Sequence, residues 1–174
     1  MAIVLTAYSK GKFYSQFLET DSIGSLSNSR ISDSTTTADY TYGSGDFEAN
    51  VGIDVTGVLP SGGSVTFDLT SVTTTDPLFG SDVTTSMSGV RYITAINDST
   101  TKGYDFSITA TGANPLTDFF NGGSGNLLVK PYSFYSYNDP YGDLRTSPTA
   151  KNIQLNDISG SGAQYRVIAI GDLQ

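Results

Sequence analysis

Two aspartates on neighbouring predicted strands, Asp54 and Asp68, are the residues whose spacing first suggests chemistry. A pair of carboxyl groups held across a groove, roughly 5 to 10 Å apart, is what glycoside hydrolysis requires. Any β-sheet with a solvated face offers such pairs, and both glutamates, Glu19 and Glu48, lie away from the aromatic clusters. We therefore predict that the protein is not an enzyme and that it has no catalytic residues.

The amino-acid composition excludes several kinds of catalytic site, metal site and binding partner. The sequence contains no histidine and no cysteine. This excludes Ser-His and Cys-His nucleophiles, His- or Cys-ligated zinc, and disulfide bonds. A net charge of −8 argues against a nucleic-acid backbone or an anionic membrane as partner, since both attract basic surfaces. We expect no cofactor, no nucleic acid and no membrane among the ligands.

Acidic loops offer oxygen ligands for calcium, which binds several oxygens converging from one loop. The candidates are Asp33 with Asp39, Asn97 with Asp98, and Asn138 with Asp139 and Asp143. The last group is best placed because Pro140 and Gly142 bend the chain between Asp139 and Asp143. Its spacing differs from that of an EF-hand loop, and an Asx-type turn is the favoured interpretation. We predict no resident metal, with calcium at Asp139 and Asp143 as the one site left open.

Tyrosines concentrate in one stretch, Asn126 to Asp143, which reads NLLVKPYSFYSYNDPYGD. A period of two places Leu128, Tyr132 and Phe134 on one face, and Leu127, Val129, Tyr135 and Tyr137 on the other. Two apolar faces predict a strand central in a sheet, or one that covers a core and also meets a partner. The tyrosines in this stretch suit stacking on sugar rings, anchoring of a protein partner, or ordinary packing in the core and at its rim.

The elements that must position these residues are short strands separated by Gly, Asn, Asp and Pro. Alternation predicts strands at 47–55, 65–69, 90–96, 104–110, 126–137, 153–155 and 164–170, with Phe67, Ile108 and Val167 facing inward. About eight strands without βαβ spacing predict an all-β fold, an antiparallel β-sandwich of jelly-roll type. A closed barrel is the alternative. Helix is expected only as short turns, one of them at 115–121.

The chain divides by composition into an N-terminal arm, residues 1–45, and a β-sandwich domain, residues 46–174. Within the arm, residues 7–18 are compatible with a short helix or with an extended segment pinned by its aromatic residues. Aromatic and aliphatic side chains in this polar arm, and tyrosines of the sandwich, are the predicted partner contacts. These are Ile3, Leu5, Tyr8, Phe13, Tyr14, Phe17, Tyr135, Tyr137 and Tyr141.

The opening segment, Met1 to Gly11, has the pattern M-A-x-x-L-T-A-Y-x-K-G and resembles the N-termini of small virion structural proteins of tailed bacteriophages. The resemblance implies a capsid decoration (cement) protein, made in the host cytoplasm and located on the outer capsid surface. Its implied partner is the major capsid protein, and its implied state is a homotrimer. The alternative is a carbohydrate-binding or receptor-binding β-sandwich module of a tail, fibre or adhesin.

Overall fold

The computed structural model describes residues 3–9, 13–19, 26–30, 39–42, 48–75, 82–110, 112–120, 125–139, 141 and 143–173, with 3–9, 13–19, 26–30, 39–42, 48 and 75 described by backbone alone. These residues form fifteen β-strands and one 3-10 helix. The strands are β1 Ile3–Ser9, β2 Phe13–Glu19, β3 Leu26–Arg30, β4 Asp39–Tyr42, β5 Glu48–Ala49, β6 Val51–Val58, β7 Ser64–Asp68, β8 Val72–Thr75, β9 Asp82–Thr85, β10 Met87–Asn97, β11 Phe106–Thr109, β12 Asn126–Val129, β13 Phe134–Asn138, β14 Asn152–Asp157 and β15 Gln164–Leu173. The 3-10 helix is Thr117–Phe120, inside the range predicted for a helical turn.

Eight of these strands build a two-sheet antiparallel sandwich. One sheet has the order β13-β10-β15-β6 and the other the order β12-β11-β14-β7. The first, third, sixth and eighth strands of the set thus share one sheet, and the second, fourth, fifth and seventh share the other. That alternation is the jelly-roll arrangement of two Greek keys. The prediction of an all-β antiparallel sandwich of jelly-roll type is confirmed.

The apolar core lies between the two sheets because alternate residues of each strand point inward. Strand β14 shows this alternation most regularly, with Ile153 and Leu155 buried between partly exposed neighbours. Phe67, Ile108 and Val167 are buried in the same core, as predicted. The ring of Phe67 meets that of Tyr165 edge to face, at a centroid distance of 5.7 Å.

Strands β10 and β15 are buried on both faces. Their second face carries apolar residues that are buried outside the core between the two sheets, namely Tyr92, Ile96, Ile168 and Ile170. Strand β15 pairs with β10 on one side and with β6 on the other. Both edges of this apolar strand are therefore covered by neighbouring strands.

The tyrosine-rich stretch forms two edge strands, so the predictions of one continuous strand and of a central position were wrong. The other alternative, a strand that covers the core and also meets a partner, keeps its first half, because Tyr135 and Tyr137 pack against the core. Strand β12 ends at Val129, strand β13 begins at Phe134, and the two lie at the edges of different sheets. The break follows from Pro131, which has no N–H to donate, and from Tyr132, whose φ of 60° turns the chain. The alternation of faces holds on both sides of the break.

Strands β1 and β2 occupy the segment for which a helix or an extended arm was left open. They form an antiparallel pair with Leu5 opposite Phe17 and Tyr8 opposite Tyr14. The helix alternative was wrong, which agrees with the low helix propensity of Gly11 and with the aromatic residues that favour strands. The pair belongs to a five-stranded sheet of order β3-β2-β1-β4-β5, in which β4 and β5 are parallel.

Candidate partner-binding surface

Strand β13 is an edge strand that presents aromatic residues. Within the described sheet its one paired neighbour is β10, and no other described strand pairs with its second side. Phe134 is 45% exposed, whereas Tyr135 and Tyr137 are half-buried. An edge with exposed aromatic surface is suited to pairing with another chain.

The half-buried tyrosines anchor this edge to the core. The ring of Phe119, on the 3-10 helix, lies 5.5 Å from the rings of both Tyr135 and Tyr137. Burial raises the pKa of the Tyr137 phenol, and the carboxylate of Asp139 raises it further, so the phenol is protonated at neutral pH. The predicted contacts Tyr135 and Tyr137 are therefore brought together here, with their rings largely committed to the protein's own core.

Tyr132 stands out at the turn that precedes β13. It has a left-handed backbone conformation, which is unfavourable for a residue with a side chain, and 75% of its surface is exposed. Its N–H donates to the carbonyl of Asn97 at 3.0 Å, and its hydroxyl donates to the carbonyl of Thr100 at 3.2 Å. Hydrogen bonds thus hold this residue at its backbone and at the hydroxyl of its exposed ring.

Asn97 is the buried residue that holds the loops around this ring in place. Its side-chain amide donates to the carbonyls of Tyr104 at 2.8 Å and Val129 at 2.9 Å. Its side-chain oxygen accepts from the N–H of Ser99 at 3.1 Å. The sequence offered Asn97 as a calcium ligand, but the structure uses its side chain to join three segments of the chain.

A groove lies beside Tyr132, between the loop after β10 and the turn before β13. Its volume is about 390 Å³, and we call it the Tyr132 groove; it is lined by Thr100, Lys102, Gly103, Asp105, Lys130, Pro131 and Tyr132. Lys130 Nζ lies 3.4 Å from Asp105 Oδ2. Lys102 is exposed and has no carboxylate partner in the part of the chain that the structure describes. Sequence reasoning missed this groove, although two lysines close to turns in an acidic chain were a signal for it.

The two aspartates that first suggested chemistry are not placed on neighbouring strands. Asp54 lies on β6 and Asp68 on β7, in different sheets, so that prediction of adjacency was wrong. Both oxygens of Asp54 accept from the guanidinium of Arg166, and Asp68 pairs with Lys151 at 2.5 Å. Burial raises the pKa of Asp68, but hydrogen bonds from Lys151 and Thr70 outweigh it and lower the pKa overall. Each carboxylate serves its own ion pair.

The acidic loop after β13 is organised by a hydrogen bond from its own backbone. Asp139 is buried, and its Oδ2 accepts from the N–H of Leu144 at 2.6 Å. This bond spans five residues, whereas the Asx-type turn favoured from the sequence would join residues two apart. Among the described residues, no three metal-ligating side chains are grouped closely enough to hold a metal ion.

The remaining predicted contacts lie elsewhere in the fold. Tyr141 is exposed in the loop that follows β13. The others lie on the N-terminal sheet, where the structure gives their backbone positions: Ile3, Leu5 and Tyr8 on β1, and Phe13, Tyr14 and Phe17 on β2.

Comparison of the chain with protein-family models, with curated proteins and with solved structures gave no match. The described residues include no helix with the length and apolar character needed to cross a membrane. The function is therefore inferred from the residues and their geometry.

Proposed function

We propose that the protein is a structural component of a virion, a decoration (cement) protein that binds the major capsid protein on the outer capsid surface. The observation that carries this proposal is the aromatic edge strand β13, with Phe134 45% exposed and a side of the strand that no described strand covers. A free strand edge beside an exposed aromatic ring binds a partner through backbone hydrogen bonds and apolar burial together.

The fold and the N-terminal sequence support the same proposal. Jelly rolls are common in viral capsid proteins and in lectins, although a fold alone does not decide function. The pattern of Met1 to Gly11 resembles that of phage virion proteins and favours the first of these two classes. As a homotrimer, such a protein spans subunits of the capsid and stabilises them by mass action without any chemical step.

The proposal is tested directly by measuring binding to capsids that are assembled from the major capsid protein of the same virion. We expect the protein to sediment with these capsids and to raise the temperature at which they disrupt. Phe134→Asp places a charge on the proposed contact and should abolish co-sedimentation. Leu128→Asp is the matched control, because Leu128 is 52% exposed on β12, the edge strand of the other sheet. Equal binding by the two variants would remove β13 as the contact.

The N-terminal arm is the second part of the proposed contact. Its polar composition supplies little apolar area for independent folding, while six aliphatic and aromatic residues on β1 and β2 provide anchors of the kind that dominate interfaces. Deleting residues 2–20 should leave a folded sandwich, seen by circular dichroism, that no longer binds capsids. A truncated protein that binds as well as the full chain would restrict the contact to the sandwich.

A further inference from the structure

We propose that the Tyr132 groove is a binding site for a carboxylate-bearing polysaccharide, with a uronic acid ring stacked on Tyr132 and its carboxylate facing Lys102 and Lys130. The first observation behind it is backbone strain. A tyrosine with a φ of 60° is disfavoured by its Cβ, and glycine or asparagine ordinarily occupies such a position. Strain of this kind, held in place by the surrounding structure, is characteristic of functional sites.

The second observation is that the strained residue exposes its ring while its polar atoms are fixed. Asn97 and Thr100 accept hydrogen bonds from the N–H and the hydroxyl of Tyr132, so the ring has little freedom left to lose. An immobile, exposed aromatic face is a stacking platform whose binding costs little conformational entropy. The side-chain amide of Asn97 also donates hydrogen bonds to the carbonyls of Tyr104 and Val129, and these bonds hold both walls of the groove in place.

The third observation is the local charge. The chain has nine lysines and arginines against seventeen carboxylates, yet two of the nine line this groove. Four cations of the sandwich that lie outside the groove pair with the protein's own aspartates: Arg91 and Arg145 with Asp172, Lys151 with Asp68, and Arg166 with Asp54. In the groove, the exposed Lys130 lies 3.4 Å from Asp105, and Lys102 has no carboxylate partner among the described residues. Lys102 and Lys130 are thus placed to neutralise a ligand's negative charge, and Asp105 supplies an acceptor for a sugar hydroxyl.

Size favours a sugar ring over a larger partner. A volume of about 390 Å³ falls at the lower end of the range for small-ligand sites, roughly 300 to 1,000 Å³. One or two rings of an extended chain fit such a groove, with the rest of the polymer passing over the surface. An acidic peptide offers the same carboxylates without the flat apolar ring face that stacks on tyrosine.

Titration of the full chain with polygalacturonate, followed by calorimetry, tests the proposal. Methyl-esterified polygalacturonate is the matched ligand control, because it keeps the sugar backbone and removes the charge. We expect binding to the acid form and binding at least about tenfold weaker to the ester. No binding to polygalacturonate, or equal affinity for the two polymers, overturns the proposal. Equal binding of polyglutamate assigns the groove to acidic peptides and also overturns it.

Three variants test whether polygalacturonate binds at the Tyr132 groove. Tyr132→Gly should lose affinity while keeping or raising the melting temperature, because glycine relieves the strain at this backbone position. Lys102→Ala with Lys130→Ala should weaken binding of the acid form and leave the weak binding of the ester unchanged. Tyr141→Ala, which removes another exposed tyrosine, should bind as the wild type does. Wild-type affinity in either groove variant contradicts the assignment.

Discussion

The carboxylate of Asp157 accepts a hydrogen bond from the N–H of Gly162 at 2.8 Å, which closes the turn between β14 and β15. The same oxygen accepts from the N–H of Gly62 at 2.9 Å, in the turn between β6 and β7. The other oxygen accepts from the N–H of Ser159 at 2.9 Å and from its hydroxyl at 2.5 Å. One buried side chain thus joins two turns that are about a hundred residues apart in the sequence.

This arrangement predicts a specific loss of stability in acid. Burial alone raises the pKa of Asp157, but the four hydrogen bonds outweigh it and lower the pKa from 3.8 to about 2. Because the folded-state pKa is the lower one, the stabilisation is complete above pH 3.8 and is lost as pH falls through about 2. We expect Asp157→Asn to reduce the free energy of unfolding by about 2 kcal/mol at pH 7.

Urea unfolding at pH 7 and at pH 2 to 3 measures this effect. The wild type should lose more stability than Asp157→Asn between the two conditions. The free energies of unfolding of the two proteins should therefore converge in acid. Asp118→Asn is the control, because it removes the charge of an aspartate that is exposed on the 3-10 helix. A constant difference between wild type and Asp157→Asn at every pH would contradict the assignment.

Phe67 tests the location of the core. Its ring is buried between the sheets against Tyr165, so Phe67→Ala should lower the free energy of unfolding by about 3 to 5 kcal/mol. Leu128→Ala, on the exposed face of β12, should change it by less than about 1 kcal/mol. Chemical denaturation of both variants decides this, and similar losses would mean that the inward face has been misassigned.

The inward residues could be predicted because their signal is local. Phe67 and Ile108 each lie between polar neighbours, and Val167 alternates in step with Tyr165 and Ala169. Alternation at a period of two reports directly on the buried face. Which strands pair with each other in space could not be predicted in this way. Asp54 and Asp68 are separated by one turn in the sequence but lie in different sheets, because the chain of a jelly roll crosses the sandwich at most of its connections. No local pattern encodes that crossing.

A buried ion pair near the end of β15 gives a third prediction. Arg91 is 1% exposed, and its guanidinium donates to both oxygens of Asp172, at 3.3 and 3.1 Å. Arg91→Met should destabilise the protein by about 3 to 5 kcal/mol, because it leaves the Asp172 carboxylate buried with Arg145 as its remaining arginine partner. Arg91→Met combined with Asp172→Leu removes both charges and should recover part of the loss. Thermal and urea unfolding of the single and double variants measure it, and simple additivity would contradict the coupling.

Gly171 marks a close approach between two strands. A Cβ at this position would overlap the carbonyl oxygen of Gly89, where the pairing of β10 with β15 is irregular. Gly171→Ala should therefore force the strands apart and cost about 2 to 3 kcal/mol. Gly103→Ala is the comparison: its φ of +91° strains alanine, but the space around it is open, and about 1 kcal/mol is expected. Unfolding midpoints that rank the two in the opposite order would contradict this account.

The candidate site was predictable only in part. The excess of tyrosine identified the region around β13, since aromatic composition is visible in the sequence. The Tyr132 groove could not be predicted from the sequence. It includes Lys102 and Lys130, which are distant in the chain and are brought together through the buried side chain of Asn97. Even the turn at Pro131 gave no sign that Tyr132 would have a positive φ.

The central position of β15 has a consequence for synthesis. Strand β15 follows the other seven strands of the sandwich in the chain, yet it separates β10 from β6, and its Arg166 bonds to Asp54 across 112 residues. While a ribosome is still translating residues 152–163, the nascent chain holds β6 and β10 without the strand that lies between them. Both then present unpaired edges to other nascent chains, which is the condition in which β-rich proteins aggregate. The sandwich therefore cannot be completed until β15 has left the ribosome, and the yield of folded protein in the cell depends on how long the chain waits for that strand.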